Sequence, residues 1–453
     1  MNTPKQFKKL PLTAALSETF GFSPAVATTV VLSLILVFLL MVFWVVQSSP
    51  PRTIALTSGP EDSSFHRWAI SYQQALATHG VKLKILTSGG SLDNLRRLQA
   101  DDITDTHADI GFVPGGLVKE KYLGDVVSLG SVAYQPLFIF YRSPVPFSRL
   151  SELAGKRIAV GAKGSGVRIL ALTLLQANGI TGAPTTFVNL DAGAAASALL
   201  TGKIDAVFLM GDSAPLPILR SLIRDPNVQM FNFTQAEAYT RRFAYLSKMV
   251  LTQGVLDFGK NVPAQDVALI GPTVELVARK GLNTALIDLL IEVAKEVHGN
   301  SSILQKRGQF PAPLEHEFPL SEDAVRYYKS GKGLLMSTLH SFWLASLANR
   351  ILVAVVPLVL ILIPTIRFLP VAYRLRILLR LYRHYRPLLR LERDSFGPMT
   401  PERLEHLLRR LDEIEAAVNQ LKVPASFADR LYLLRSHIAF VRQRLKSPPP
   451  AAI

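Results

Sequence analysis

Two apolar runs without a charged residue, at 26–46 and 351–366, bracket a long and more polar middle segment. A run of about 20 apolar residues is long enough to span a bilayer as a helix. The second run is shorter, but apolar residues on both sides extend it, and the charged groups of Arg350 and Arg367 can snorkel to the interface. The sequence therefore predicts a globular domain tethered to a membrane by two helices, at 26–47 and 344–371.

The basic residues beside the two runs predict the orientation. Residues 1–25 contain three basic and one acidic side chains, and residues 367–453 contain 17 basic and eight acidic ones. Lys and Arg collect on the cytoplasmic side of membrane helices. We therefore expect both termini in the cytoplasm and residues 48–341 on the outer side of the cytoplasmic (inner) membrane. A cleaved signal peptide is the alternative, but its apolar region usually has about 7–15 residues, which favours an uncleaved signal anchor.

The net charge of +16 has the same origin, because most of the basic excess lies in the two predicted cytoplasmic parts. This distribution argues against a nucleic-acid partner and suits anionic lipid headgroups. The chain has no cysteine, which excludes disulfides, thiolate metal sites and cysteine nucleophiles. The nine histidines show no metal-ligand spacing, and no G-x-S-x-G motif is present. We expect neither an enzyme nor a metal or cofactor site.

The middle segment alternates between strands and helices. We predict strands at 52–57, 81–87, 108–113, 135–141, 157–161 and 204–209, with helices after most of them. This pattern is typical of an α/β fold, and the length of the segment favours two lobes. Asp109 and Asp205 each precede an apolar strand, which is expected if the two lobes are similar. The simpler explanation is that each carboxylate caps a helix-to-strand turn. Ligands bind at the carboxyl ends of such strands, where Gly- and Ser-rich loops follow here.

Two of these loops are the main candidate binding elements. The loop 161–166 joins a strand to a helix, so its amides and the positive helix end can receive an anionic oxygen. Arg168 can offer a bidentate guanidinium to a carboxylate, or form an ordinary surface ion pair. The facing loop is 88–91, in which we expect Ser91 to cap a helix. Tyr134 stands where the chain first crosses between lobes, and it is equally expected as a ligand-stacking ring and as an ordinary hinge residue.

Several motifs of the middle segment resemble those of a known family. The stretches 87–95 (TSGGSLDNL), 108–113 (ADIGFV), 153–161 (LAGKRIAVG), 164–168 (GSGVR) and 202–206 (GKIDA) resemble signatures of the TAXI solute-receptor subunits of TRAP transporters. The resemblance runs from about residue 54 to about residue 329, in order and with compatible spacing. It implies a two-lobed periplasmic-binding-protein fold of class II, with the ligand held between the lobes and a TRAP-type permease as partner.

One loop departs from the family pattern. After the first strand the family usually has a glycine-rich G-G-x-x-G-x-Y loop, whereas residues 59–65 here read GPEDSSF. Asp62 or Glu61 could bind a ligand ammonium, but we expect at least one of them to cap the following helix. The departure leaves the ligand open between an organic acid and an amino acid.

The candidate ligand-binding residues combine these loops with the crossover region. They are Ser58, Gly59, Asp62, Ser64, Ser88, Gly89, Gly90, Tyr134, Gly164, Ser165, Gly166, Arg168 and Asp212. Together with the resemblance, they predict a membrane-anchored receptor that captures a small carboxylate-bearing solute for a TRAP-type transporter. A ligand sensor that signals across the membrane is the alternative.

The basic segment 372–453 has a pattern of its own. Apolar residues recur every three or four positions on both sides of Pro424, which predicts a helical hairpin at 400–446 that begins at Thr400. Two such helices alone cannot bury both apolar stripes. We therefore expect a partner surface or self-association through the hairpin.

Overall fold

The structure is a computed structural model that describes residues 24–100, 107–117, 124–211, 215–314, 317–333, 338–339, 341–397, 399–421, 423 and 427–446. The chain forms two compact units. One unit is Ser48–Asn349, and the other consists of the described parts of Met1–Gln47 and Arg350–Ile453. The lysines predicted to flank the first membrane helix lie outside the described residues, so the structure does not address their position.

Eleven described strands and most of the described helices belong to the unit Ser48–Asn349, which is called the outer unit after its predicted side of the membrane. Its strands are β1 Thr53–Gly59, β2 Lys82–Thr87, β3 Ile110–Pro114, β4 Val126–Tyr134, β5 Leu137–Tyr141, β6 Arg157–Ala159, β7 Thr186–Val188, β8 Ala206–Met210, β9 Gln229–Met230, β10 Leu246–Leu251 and β11 Val267–Arg279. The helices of the whole described chain are α1 Pro24–Gln47, α2 Ser64–Thr78, α3 Ser91–Gln99, α4 Gly166–Ala177, α5 Ala192–Leu200, α6 Leu216–Arg224, α7 Ala236–Arg242, α8 Thr284–His298, α9 Glu322–Ser330, α10 Phe342–Asp394, α11 Pro401–Asn419 and α12 Ala428–Lys446.

The strand order divides the outer unit into two lobes of the same design. In lobe 1 the order is β2-β1-β3-β11-β4, and in lobe 2 it is β7-β6-β8-β5-β11-β10. In lobe 1, β1 pairs in parallel with β2 and β3, and in lobe 2, β6 pairs in parallel with β7 and β8. Strand β11 belongs to both lobes, because its first half pairs with β10 and its second half pairs with β3 and β4.

Asp109 and Asp205 occupy equivalent places in the two lobes. The Asp109 carboxylate accepts a hydrogen bond from the backbone amide of Ala55 on β1 (2.7 Å). The Asp205 carboxylate accepts one from the backbone amide of Arg157 on β6 (2.8 Å), and the Arg157 guanidinium lowers its pKa. The Asp109 hydrogen bond therefore joins the start of β3 to β1, and the Asp205 hydrogen bond joins the start of β8 to β6. Both residues are structural, and their equivalence supports the predicted similarity of the lobes.

Each lobe buries apolar side chains against its sheet. The main core of lobe 1 lies between the sheet and the helices α2 and α8, and it includes Leu56, Tyr72, Phe112 and Leu276. Lobe 2 has one apolar cluster on each side of its sheet, as expected for strands covered by helices on both faces. The strand and helix alternation predicted from the sequence is therefore confirmed.

The helix α10 begins inside the outer unit. Phe342 is buried in the lobe 1 core, and the Trp343 indole donates to the carbonyl oxygen of His79 (3.1 Å). Arg52 lies over the Trp343 ring at 5.5 Å from its centroid. The outer unit thus extends to Asn349, beyond the boundary at 341 that the apolar pattern indicated.

Two described helices are long and apolar enough to cross a membrane by length and composition, namely Ala27–Gln47 and Phe342–Thr365. Arg350 donates to the carbonyl oxygen of Val45 (2.5 Å), so these two helices are in contact. The α10 helix continues through Pro357 and Pro364, and the Thr365 hydroxyl bonds the Ile361 carbonyl (2.7 Å). Such side-chain bonds are one way in which membrane helices tolerate proline.

The basic C-terminal segment forms a bundle of three helices. The hairpin predicted at 400–446 is present as α11 and α12, and Thr400 caps α11 by accepting from the Arg403 amide (3.3 Å). Its apolar stripes pack against the distal part of α10, which contributes Leu381, Leu388 and Leu391. The stripes are thus covered within the chain, and burial alone does not call for self-association.

We predict that Phe342 stabilises the outer unit although it belongs to the helix α10. In the full chain, Phe342→Ala should lower the stability of the outer unit by roughly 3–5 kcal/mol, because it empties a buried aromatic site. Thermal unfolding measures the change. Leu344→Ala is the matched control, since Leu344 is 58% exposed. A fragment of residues 48–349 should likewise be a soluble monomer with a higher melting temperature than one ending at residue 340, and equal melting temperatures would contradict the assignment.

The second prediction concerns Glu275, which is fully buried on β11 between the partners Val113 and Ser131. Neither carboxyl oxygen has a hydrogen-bond partner among the described residues. Burial raises the pKa of Glu275 to about 8, while the nearby Ser128 hydroxyl lowers it less and the Glu317 carboxylate adds to the rise. Stability should be complete below the ordinary pKa of 4.5 and fall as the pH rises to 8, because the unfolded chain ionises first.

Glu275→Gln should therefore remove this loss, which amounts to at most about 5 kcal/mol at pH 8. Melting temperatures of wild type and variant, measured from pH 5 to pH 8, should diverge in favour of the variant. Glu237→Gln on the exposed face of α7 is the control and should leave the wild-type pH dependence in place. Parallel curves for Glu275→Gln and wild type would show that Glu275 does not titrate in this range.

Candidate functional site

A cavity of about 410 Å³ lies between the two lobes of the outer unit. Its walls are the loops that follow β1, β2, β6, β7 and β8, at the carboxyl ends of parallel strands. The lining residues are Pro60, Asp62, Ser63, Gly89, Gly90, Ser91, Gly161, Ala162, Ser165, Gly166, Val167, Leu190, Asp191, Ala192, Gly193, Phe208, Leu209, Pro215 and Ile218. This position is the one at which open α/β sheets bind ligands, and the volume suits a small molecule.

The N-termini of five helices, α2 to α6, meet at this cavity. Three of them are capped by a side chain: Ser63 accepts from the His66 amide, Ser165 from the Arg168 amide and Asp191 from the Ala194 amide. The other two, α3 and α6, have no side-chain cap. Helix N-termini carry partial positive charge and free amides, so their convergence favours an anionic or oxygen-rich ligand.

The side chains that line the cavity contribute no positive charge to it. Among the described residues that line the cavity there is no Lys, Arg or His, and the two charged side chains are the exposed carboxylates of Asp62 and Asp191.

The backbone is close to the cavity because glycines recur in its walls. Gly90 has φ +127° and Gly161 has φ +95°, which side-chain-bearing residues rarely adopt. A Cβ at Gly90 would lie 4.0 Å from the Gly164 carbonyl oxygen, so the two glycine loops face each other across the cleft.

Five of the predicted ligand-binding residues line the cavity: Asp62, Gly89, Gly90, Ser165 and Gly166. Seven others are described but lie outside the lining, namely Ser58, Gly59, Ser64, Ser88, Tyr134, Gly164 and Arg168. Asp212 lies outside the described residues. The two predicted loops thus do face the same cavity, although not every residue in them does.

Ser88 and Ser58 have partners within lobe 1. The Ser88 hydroxyl donates to the side-chain oxygen of Asn94 (2.5 Å). Asn94 is fully buried, accepts from the Thr57 hydroxyl (2.7 Å) and donates to the Phe112 carbonyl (2.9 Å). The asparagine of the TSGGSLDNL motif therefore joins β1, β3 and the loop after β2. Ser58 is also buried, with its hydroxyl 3.1 Å from Nδ1 of His66.

Gly59 and Ser64 flank the loop after β1. Gly59 has φ +104° at the end of β1, and Ser64 is the first residue of α2. We expected Asp62 or Glu61 to cap this helix, but the cap is Ser63. The Asp62 backbone instead accepts from the Arg67 guanidinium through its carbonyl oxygen (2.9 Å).

Arg168 and Tyr134 do not line the cavity, and each contacts other side chains of the protein. The Arg168 guanidinium donates to the side-chain oxygen of Asn189, in the segment that leads into the lining residues Leu190 and Asp191. The Tyr134 hydroxyl accepts from Gln309 (2.7 Å), and its ring meets the edge of Phe310 at 4.9 Å between centroids. Of the two roles expected for Tyr134, these contacts fit that of an ordinary hinge residue.

A model of the NMT1-like family matches residues 68–331, which is more than half of the chain. The chain belongs to the NMT1-like family. The match begins within α2 and ends directly after α9. It therefore includes lobe 2, lobe 1 apart from β1 and the start of α2, and every loop that lines the cavity except the one after β1.

Solved structures give similarities over a little more than half of the chain. The substrate binding protein of an amino acid ABC transporter is 16% identical, with 54% of this chain and 92% of that chain covered and a TM-score of 0.32. An ancestral arginine-binding protein bound to arginine is 14% identical, with 56% and 95% covered and a TM-score of 0.35. The periplasmic aliphatic sulphonate binding protein SsuA from Escherichia coli is 16% identical, with 55% and 73% covered and a TM-score of 0.35.

The predicted α/β fold with parallel strands is confirmed by the strand order. Sequence reasoning found the loop 161–166 of lobe 2 but missed the rest of the lobe 2 wall of the cavity, formed by 190–193, Phe208, Leu209, Pro215 and Ile218. One signal was available: Asp191 precedes a short alanine-rich helix, which is an N-cap pattern at the end of a strand. The apolar residues gave no signal, because buried strand residues look alike whether or not they face a ligand.

Proposed function

We propose that this member of the NMT1-like family is a membrane-anchored solute-binding receptor. It captures a small carboxylate-bearing solute outside the cytoplasmic membrane and delivers it to a TRAP-type secondary transporter. The observation that carries the proposal is the cavity between the lobes, because five helix N-termini and several glycine amides converge on it. Closure of two lobes about a hinge is a known way to sequester a ligand.

Several further observations support the proposal. The similar solved proteins are an amino acid, an arginine and an aliphatic sulphonate binding protein, and each of these ligand classes carries an anionic group. The two apolar helices provide the anchor, and the basic residues on the C-terminal side of α10 favour a cytoplasmic C-terminus. The resemblance to TAXI subunits supplies the TRAP permease as partner. The cavity has no arrangement of a nucleophile and a general base among its described lining residues, so we propose binding rather than catalysis.

A test of this function uses the full chain in nanodiscs. Native mass spectrometry of the purified protein should show a bound small molecule, which is then identified after release. Gly89→Trp should abolish its binding, because Gly89 lines the cavity and has no atom within 4 Å of the position of a Cβ. Gly333→Trp is the matched control, since Gly333 is equally unobstructed and lies outside the lining. Equal binding by both variants, or no binding of any carboxylate, amino acid or sulfonate by the wild type, would contradict the proposal.

A ligand sensor is the second candidate, and one observation favours it. The helix α10 starts in the lobe 1 core and ends in the three-helix bundle with α11 and α12, so one continuous helix belongs to both compact units. A receptor that only delivers solute needs no such bundle.

Deletion of residues 400–446 separates the two functions. If the chain is a transport receptor, cells carrying the deletion should take up the solute at the wild-type rate, as measured with labelled solute. Loss of uptake at unchanged solute affinity, or a ligand-dependent change in the spacing of spin labels on α11 and α12, would instead support the sensor.

A further inference from the structure

Ser91 has a different place from the one expected. We predicted that it caps a helix, but the N-cap of α3 is Gly90 and Ser91 is the first helical residue. Ser91 is 1% exposed, and its hydroxyl has no hydrogen-bond partner among the described residues. It lines the cavity, and a Cβ at Gly166 on the opposite wall would lie 3.5 Å from its Oγ. The hydroxyl therefore points across the cleft.

The first backbone amides of α3, next to this hydroxyl, also lack a side-chain hydrogen-bond acceptor. Gly90 has no side chain to accept from the first amides of α3, unlike the caps of α2, α4 and α5. Asp93, in the first turn, does not replace the cap, because its carboxylate accepts from the Gly89 amide (3.0 Å) and pairs with Arg97 (3.2 Å). Free helix amides and a buried hydroxyl both require an acceptor, and a ligand oxygen in the cleft supplies one for each.

The opposite side of the cavity has another character. On the side of lobe 2 it is lined by Leu190 and Ile218, which are partly exposed, and by the end of β8 at Phe208 and Leu209, whose side chains are buried in the lobe 2 clusters. Lys163, in the loop after β6, is exposed and lies outside the lining. A second anionic group on the ligand would meet the Asp191 carboxylate and no lining cation there. The helix N-termini on this side are already capped by Ser165 (α4) and Asp191 (α5), or have Pro217, which lacks an amide hydrogen, in the first turn (α6).

We propose that Ser91 and the uncapped N-terminus of α3 bind the single anionic group of a monoanion whose remaining part is apolar, such as an aliphatic monocarboxylate. This inference rests on the proposed function and specifies its ligand. Ser91 is the residue that recognises the anion, and the apolar wall of lobe 2 selects the rest of the ligand. Dicarboxylates should bind more weakly, because the lobe 2 side offers their second carboxylate neither a lining cation nor an uncapped helix turn with all its amides.

The ligand class is tested with probes of equal length. Calorimetry on the full chain in nanodiscs compares hexanoate, adipate and hexylamine. Hexanoate should bind at least about 30-fold more tightly than adipate, and hexylamine should not bind. Comparable affinity for adipate, or preference for hexylamine, would overturn the inference.

The role of Ser91 is tested by substitution. Ser91→Ala should weaken hexanoate binding by about 10–100-fold, since a hydrogen bond to a charged group is lost. The melting temperature without ligand should not fall, because the hydroxyl has no partner to lose. Ser91→Thr keeps the hydroxyl and should restore part of the affinity. Ser71→Ala, at an exposed position of α2, is the serine control and should bind as the wild type does.

The outcomes separate this inference from the proposed function. If Ser91→Ala binds hexanoate as the wild type does, Ser91 does not recognise the anion. If another solute binds and Gly89→Trp abolishes its binding, the cleft is a solute site and only the ligand class is wrong. If no solute binds to the wild type, the proposed function itself fails.

Discussion

The close crossing of two strands between the lobes sets the geometry of the outer unit. The chain passes from β4 to β5 through Gln135 and Pro136, and it returns through β11 at Gly271 and Pro272. The two segments are joined by a hydrogen bond from the Gln135 amide to the Pro272 carbonyl (2.9 Å). A Cβ at Gly271 would overlap the Gln135 carbonyl oxygen, so only glycine permits this approach. Because β11 is shared by the sheets of both lobes, the crossing fixes where the loops after β1, β2, β6, β7 and β8 can meet.

The cavity at that meeting point draws its electrostatic character from the backbone. Five helices begin there, and its described lining contains two carboxylates but no basic side chain. A binding site of this kind depends on the placement of helix ends rather than on single charges. The polar side chains nearby accordingly act as supports. Asn94 holds the loop after β2 in place, and Arg168 is bonded to Asn189 next to the lobe 2 wall.

The sequence was sufficient for the α/β alternation and for the two glycine loops, because strand periodicity and Gly-Ser turns are local signals. It also predicted that Asp109 and Asp205 occupy equivalent positions in the two lobes. It was insufficient for contacts made at a distance: the lobe 2 wall, the burial of Phe342 in lobe 1, and the packing of α11 and α12 on α10. Ser91 shows the same limit at a single residue. Serine before a helix usually caps it, and only the position of Gly90 reveals that this hydroxyl is free to face the cleft.

The attachment of α10 to one lobe has a consequence for both candidate functions. Phe342 and Trp343 pack on lobe 1, so this lobe is continuous with a helix long and apolar enough to cross a membrane. Among the described residues, lobe 2 is joined to lobe 1 through the chain crossings around Gln135 and Gly271. Tyr245, before β10, also lies against Gly115 and Gly116, after β3. Under the proposed function, closure of the cleft by a ligand therefore moves lobe 2 relative to lobe 1 and to the packed residues Phe342 and Trp343. A permease that distinguishes the loaded from the empty receptor must then read the position of lobe 2, whereas a sensor must transmit it through lobe 1, because α10 begins there.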